Sequence, residues 1–374
     1  MEQAINIYRL GIKELRSLWR DPMMLVLIFY AFSLGIYAAA TGMPETLHKA
    51  PIAIVDEDQS PLSNRVSSAF YPPHFTQPAL INLPQVDKGL DAGTYTFALD
   101  IPPNFQRDVL AGRHPTVQLN VDATSMTQAF TGGGYIQQIV QGEASEFLAG
   151  TRSAATGPVS MNLRARFNPN LTQSWFASLM EIINNVTMLS IILTGAALIR
   201  EREHGTIEHL LVMPVTPFEI MASKVWAMGL VVLIACGLSL IFMVQGLLGV
   251  PIEGSIALFL LGAALHLFAT TSMGIFMGTI ARSMPQFGLL LMLVLLPLQM
   301  LSGGVTARES MPDFVQMVML VAPTTHFVSM SQAVLYRGAG FAVVWHQFLS
   351  IIAIGSLFFF AALTRFRKTI SSMT

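Results

Sequence analysis

Six stretches of the chain run for about the width of a bilayer with almost no charge: 23–40, 175–199, 225–244, 255–280, 287–301 and 343–363, the fifth extendable through 302–307. A hydrocarbon core about 30 Å thick takes roughly 20 apolar residues in helical form. Glu181 is the one formally charged side chain in these stretches. The stretches are apolar all round rather than striped, which lipid requires and a half-buried soluble helix does not show. Charged residues make up 11% of the whole chain, against roughly 25% in soluble domains. The pattern predicts an α-helical polytopic membrane protein with six transmembrane helices.

Residues 41–173 differ in composition, carrying charges, prolines and segments of strand length. Segments 51–55 and 95–101 read as strands, and 116–121 alternates apolar with polar residues. Segments 104–111 and 128–148 read as helices, the second interrupted at its start by Gly132, Gly133 and Gly134. An α/β domain is therefore expected between the first and second spans. Short-loop basic residues orient the chain. Arg9, Lys13, Arg16, Arg20, Arg200, Arg202, Lys224, Arg282, Arg365, Arg367 and Lys368 fall on one side, and the short segments of the other side carry Arg308 and Arg337. Both termini are thus expected in the cytoplasm and 41–173 outside it, in the periplasm of a bacterium. Within 1–22, Ile5, Tyr8, Ile12, Leu15 and Trp19 recur at helical spacing and the basic residues fall elsewhere, the pattern of an amphipathic helix lying on membrane lipids. A cleaved signal peptide, suggested by the alanines at 38–40, fits less well, because the apolar run is long and its polar lead is about 20 residues.

Several functions are excluded early. Cys236 is the single cysteine, which rules out an intrachain disulfide framework and a Cys-rich metal site. A net charge of −1 implies no basic surface for a nucleic-acid partner. Asp56-Glu57-Asp58 lacks the alternating ligands and spaced glycine of a calcium loop and reads as a solvated acidic turn. His204 and His209 stand five apart, which is not the metal-binding H-E-x-x-H spacing. No paired-carboxylate or triad constellation points to catalysis. The chain also lacks a G-x-x-x-x-G-K-[ST] loop, so it cannot cradle a nucleotide's phosphates by that device. A transporter without one is driven by an ion gradient or by a borrowed ATPase. His266 in the fourth span has no acidic residue clearly placed as its proton partner and reads as a hydrogen-bonded structural histidine. Glu181, Asn184 and Asn185 in the second span should turn away from lipid, either lining a translocation path or dimer interface or bonding helix to helix.

Segment 200–224 reads Arg-Glu-Arg-Glu-His-Gly-Thr-Ile-Glu-His-Leu-Leu-Val-Met-Pro, then Val-Thr-Pro-Phe-Glu-Ile-Met-Ala-Ser-Lys. Gly205 can end the helix leaving the membrane, and Thr206 can cap a short helix through Leu211 with Ile207, Leu210 and Leu211 along one side. Pro214 stops that helix; Thr216 with Pro217 starts the next, with Glu219 in its first turn. A short amphipathic helix of this kind suits a partner's groove, whereas a solvated connecting loop is the plainer alternative.

The run Glu-Arg-Glu-x-Gly-Thr-x-Glu-x-Leu-Leu-x-x-Pro-x-x-x-x-Glu resembles the coupling segment of ABC-2 type permeases, the membrane subunits of a class of ATP-binding-cassette exporters. The lead Gly11-Ile12-Lys13-Glu14-Leu15-Arg16, the run Arg166-Phe167-Asn168-Pro169-Asn170 and the six-span layout resemble the drug-export branch of that family. The resemblance implies that Glu201, Gly205, Thr206, Glu208, Leu210 and Pro214 contact or position the ATPase, with Ile12 and Leu15 on a connecting helix beside it. It implies a separate ABC ATP-binding subunit carrying ATP and Mg, with no cofactor on this chain. A second permease, like or unlike, and a periplasmic membrane-fusion or adaptor protein complete the expected partners. It also supports reading 302–340 as a re-entrant segment at the outer end of the path. The expected function is outward movement of a hydrophobic or amphipathic compound across the inner membrane. An ion-coupled carrier, or a receptor or scaffold working through its ectodomain, is the alternative.

Overall fold

A computed structural model describes residues 2–42, 49–122, 126–149, 173–203, 214–306 and 308–371. The chain divides into two compact units, Met1–Met43 with Ala165–Thr374, and Pro44–Arg164.

Helix α1 (Glu2–Trp19) opens the first unit. It buries Gly11, Glu14 and Leu18 and leaves Ile5, Tyr8 and Trp19 exposed, so the apolar stripe read from the sequence is not the face that packs on protein. Ile12 and Leu15 are half-buried. The first apolar run is one span-length stretch, 22–41, as expected, built of two helices, α2 (Pro22–Phe32) and α3 (Leu34–Thr41). Asp21 caps α2 by accepting from the Met24 N–H at 3.2 Å. The break falls at Ser33, whose hydroxyl donates back to the Phe29 carbonyl. Two carbonyls at the break are satisfied from neighbouring helices: Asn185 Nδ2 donates to Ala31 O and Ser239 Oγ to Phe32 O, each at 2.7 Å. Broken backbone at membrane depth survives only where protein supplies such partners.

The second unit is an α/β layer of β1 (Ile52–Asp56), α4 (Pro61–Ser68), β2 (Ala79–Leu80), α5 (Pro84–Asp91), β3 (Phe97–Ile101), α6 (Phe105–Leu110), β4 (Gln118–Val121) and α7 (Met126–Ala149). The sheet order is β2-β1-β3-β4; β1 pairs in parallel with β2 and β3, and β4 runs antiparallel to β3. Ile52, Ile54, Phe97 and Leu99 face Leu62, Val66 and Ile136, while Ala53, Val55 and Ala98 face Val86 on the other side. Burial on both faces explains the near-continuous apolar strands. Helix α7 runs unbroken through Gly132–Gly134, contrary to the expected interruption. Gly132 is there for packing, since a Cβ on it would stand 2.2 Å from the Phe97 ring. The acidic turn is a structural device: Asp56 accepts from the Asp58 and Gln59 N–H groups and from Ser63 Oγ, and Asp58 accepts from the Gln106 N–H. Among the described residues no group of three or more His, Cys, Asp or Glu side chains is placed to hold a metal ion.

The first unit resumes with α8 (Gln173–Glu203), α9 (Pro217–Ser239, continued by a π-helical turn at Leu240–Leu247), α10 (Ile256–Ile280), α11 (Met284–Leu301), α12 (Asp313–Met319), α13 (Pro323–Leu335) and α14 (Phe341–Ser371). Among the described residues six stretches are long and apolar enough to cross a membrane. Helices α12 and α13 meet at 89°. The hub is α8: 83% of its most apolar stretch is buried, against 17% for α11. Its seam with α10 is built from small and hydroxyl side chains, the usual means of close approach between membrane helices. Ser190 Oγ donates to Thr270 Oγ1 at 2.6 Å, Thr187 Oγ1 meets His266 Nε2 at 2.9 Å, and a Cβ on Gly274 would lie 2.3 Å from Thr194 Oγ1. The His266 ring also stacks on Phe327 with centroids 4.0 Å apart.

Helix α9 starts at Pro217, where the sequence reading began the third span at Val225. Thr216 and Glu219 form a reciprocal capping box, and Pro217 takes the first helical position. Lys224 therefore lies inside the helix.

Candidate coupling site

Lys224 has a side chain only 1% exposed, and its ammonium is neutralised on two sides. Nζ donates to Glu14 Oε1 of α1 at 2.9 Å and forms an ion pair with Glu201 Oε2 of α8 at 2.7 Å. Lys13 Nζ donates to Glu201 Oε1 at 2.7 Å and lies 3.7 Å from Glu14. Two cations and two carboxylates thus form a neutral cluster across three helices. A buried charge survives when it is paired and bonded in this way.

The end of α8 reaches further. Arg200 pairs with Asp21, the cap of α2. Burial pushes the Asp21 carboxyl up, but bonding to Arg200 and to the Met24 and Met23 N–H groups outweighs it and holds the group below the usual carboxylate range. Arg202 donates to the Gly278 and Ala281 carbonyls at 3.0 and 2.7 Å, satisfying groups at the end of α10 that have no partner in their own helix. Glu203 accepts from the Met284 N–H at 3.1 Å, at the start of α11. Four consecutive residues, Arg200 to Glu203, are therefore bonded to α2, to α1 and α9, to α10 and to α11 in turn. Immediately after them come 204–213, so the expected coupling residues Gly205, Thr206, Glu208 and Leu210 lie outside the described residues, as do 166–170. Pro214 is described, exposed in the bend before α9.

Helix α1 is locked onto α9 next to this cluster. Trp226 stacks on Tyr8 with centroids 6.2 Å apart and its Nε1 donates to the Ile7 carbonyl. A Cβ on Gly11 would stand 2.0 Å from the Trp226 ring, so glycine is what lets the indole lie against the helix. Asn6 Nδ2 donates to Glu219 Oε1 at 3.1 Å, tying α1 to the capping box as well. Of the residues singled out from sequence, Glu201 is turned inward to Lys224 and Lys13. Glu14, Lys224, Arg200, Arg202 and Glu203 were not picked out individually. The available signal was a lysine about two turns inside an apolar helix, together with a Gly-x-x-Glu spacing on α1. Near the other end of α8, Asn185 is 3% exposed and bonded to Ala31, within reach of Glu181, while Glu181 and Asn184 are half-buried.

The ABC-2 family transporter protein model matches residues 22–364. The chain belongs to the ABC-2 transporter family. It is 65% identical to the Inner membrane transport permease YhhJ of Escherichia coli K12 over 373 residues, covering 100% of each chain. It is 26% identical to the Probable multidrug ABC transporter permease YbhR of the same strain, over 96% of this chain and 97% of that one. It is 25% identical to the Probable multidrug ABC transporter permease YbhS, over 94% of each. In this ABC-2 permease, the residues on either side of 204–213 are those that the ion cluster and the capping box hold in place.

Proposed function

We propose that this ABC-2 permease is the membrane half of an ATP-driven exporter that moves a hydrophobic or amphipathic compound outward across a bacterial inner membrane. Family membership implies an ABC ATP-binding partner, and the relatives named as multidrug permeases support a drug-like cargo. ATP and Mg belong to that partner, and this chain contributes no catalytic group. Both termini and the 204–213 segment face the cytoplasm, and the α/β domain faces the periplasm, where it meets a membrane-fusion or adaptor protein. A second permease completes the path.

The observation that carries this reading is the bonding of Arg200 to Glu203 to five helices. Force applied to 204–213 enters α8 at its last turn. Short ion pairs with fixed partners make that turn rigid with α1, α2, α9, α10 and α11, so the bundle end moves as one body. An ATP-bound partner that contacts one arrangement of this end better than another shifts the population of the two. Glu201 is a positioning residue here, because its carboxylate is occupied by Lys224 and Lys13 and is not presented to a partner.

The test is an alanine block over 207–211 in the full-length protein. Loss of association with the ATP-binding subunit at unchanged expression is expected. Retained association refutes the coupling role.

A further inference from the structure

At the end of α8 remote from Glu201, a pocket is built from three pieces of the helical unit. From Phe176 to Glu201 the helix is roughly 38 Å long at about 1.5 Å per residue. The pocket has a volume of about 530 Å³ and is lined by Phe176, the turn Gly303–Gly304, Arg308, Thr325 and Gln332, among others. That size lies within the range of small-molecule sites, roughly 300–1,000 Å³. In the turn, Gly303 has φ +93°, and Gly304 packs against α8, where a Cβ on it would stand 2.1 Å from Met180 Cε.

Two polar side chains on its wall have no partner among the described residues. The Arg308 guanidinium is half-buried and makes no ion pair among the described residues. Thr325 is 4% exposed, and its buried hydroxyl has no hydrogen-bond partner among the described residues. Thr325 is also in the first turn of α13, a 13-residue helix whose cap, Ala322, offers no side-chain acceptor. That turn's N–H groups add positive potential to the same wall. A half-buried cation and a buried hydroxyl, both without a partner among the described residues, and a helix start are together complementary to one negative charge. Arginine's planar fork suits carboxylate, phosphate and sulfonate alike. Beside them Phe176, stacked on Tyr336, and Val328 offer apolar wall.

We propose that this pocket binds the anionic head group of an amphipathic molecule, with Arg308 pairing its charge and Thr325 donating to an oxygen. As cargo recognition this rests on the export reading; as a binding site it stands without it. The head group has two sources, an amphiphile from solution or an anionic membrane lipid.

The test uses the full-length protein in phosphatidylcholine discs, without any ATP-binding subunit, so failure of the export reading does not affect it. Two dyes share one aromatic body: 8-anilinonaphthalene-1-sulfonate carries a sulfonate and N-phenyl-1-naphthylamine does not. Relative to empty discs, Arg308→Gln should weaken the sulfonate dye about tenfold, the worth of one charge-assisted hydrogen-bonded pair, and leave the neutral dye unchanged. Arg308→Lys should recover part of the loss, and Thr325→Val should weaken the sulfonate dye selectively. Equal sulfonate-dye affinity in wild type and Arg308→Gln, or parallel loss of both dyes in all three variants, overturns the proposal. Repeating the titration with part of the lipid replaced by phosphatidylglycerol identifies the source. A fall seen in wild type and absent in Arg308→Gln assigns the site to lipid head groups, and an unchanged difference between them assigns it to soluble amphiphiles.

Discussion

Replacing Lys224 by methionine keeps most of the side chain's length and removes its charge. The lysine nitrogen sits 2.9 Å from Glu14 Oε1 and 2.7 Å from Glu201 Oε2, so those two oxygens are within about 5.6 Å of each other. With the cation gone they repel by about 3 kcal/mol at an effective dielectric constant near 20. That agrees with the roughly 3–5 kcal/mol lost when one partner of a buried pair is removed. Lys13 remains bonded to Glu201 at 2.7 Å and stands farther, 3.7 Å, from Glu14, so the less compensated carboxylate is Glu14. Adding Glu14→Gln to Lys224→Met should therefore restore most of the loss, although Glu14→Gln alone is destabilising. The assay is a double-mutant cycle on unfolding of the full-length protein in discs, followed by size-exclusion after graded heating. The reasoning is refuted if Lys224→Met costs under about 1 kcal/mol, or if the double variant is as unstable as the sum of the two single ones.

Other consequences follow from single contacts. Gly11→Ala forces a methyl into the Trp226 ring and should cost about 1–3 kcal/mol by overpacking, a loss that Trp226→Phe partly reverses in the same heating assay. Asn185→Ala leaves the Ala31 carbonyl without that donor and should lower stability by about 1–3 kcal/mol, whereas Glu181→Ala in a correctly folded complex should reduce transport and leave ATPase association intact. In the α/β unit, burial pushes the Asp100 carboxyl up, the Glu57 charge adds to this, and its buried Oδ1 has no partner among the described residues. A carboxyl raised in the folded state penalises folding once it ionises, so the penalty is present at neutral pH and absent well below 3.8. Asp100→Asn should accordingly raise hydrogen-exchange protection of β3 at pH 7, with the gain fading as the medium is acidified.

The helices were legible because lipid imposes a simple rule. Apolar runs at 175–199, with Glu181 its one charge, and 255–280, with none, reappear as α8 and α10 within a few residues. Thr216, Pro217 and Glu219 also announced a helix start, since a capping box is a local pattern. What failed to show was set by partners far away in the chain. Lys224 looked like the edge of a connecting segment, and its burial inside a helix is explained by Glu14, 210 residues earlier, together with Glu201. Gly132 looked like an interruption because its reason, the Phe97 ring, belongs to a strand. Ser33 gave no warning of a break, since the donors that make the break tolerable are Asn185 and Ser239. On α1 the periodicity identified two faces correctly, but not that the protein takes the face with Gly11 and Glu14 and leaves Tyr8 and Trp19 outward.

The central claim is that energy reaches this permease from a separate ATP-binding subunit through the end of α8. Its most direct test is transport into inside-out proteoliposomes containing the purified permease, with and without the ATP-binding subunit, measured once with ATP and once with an imposed proton gradient alone. The account predicts accumulation only when both the subunit and ATP are present, and its loss in the 207–211 alanine block. Accumulation by the permease alone, driven by the proton gradient, would contradict it.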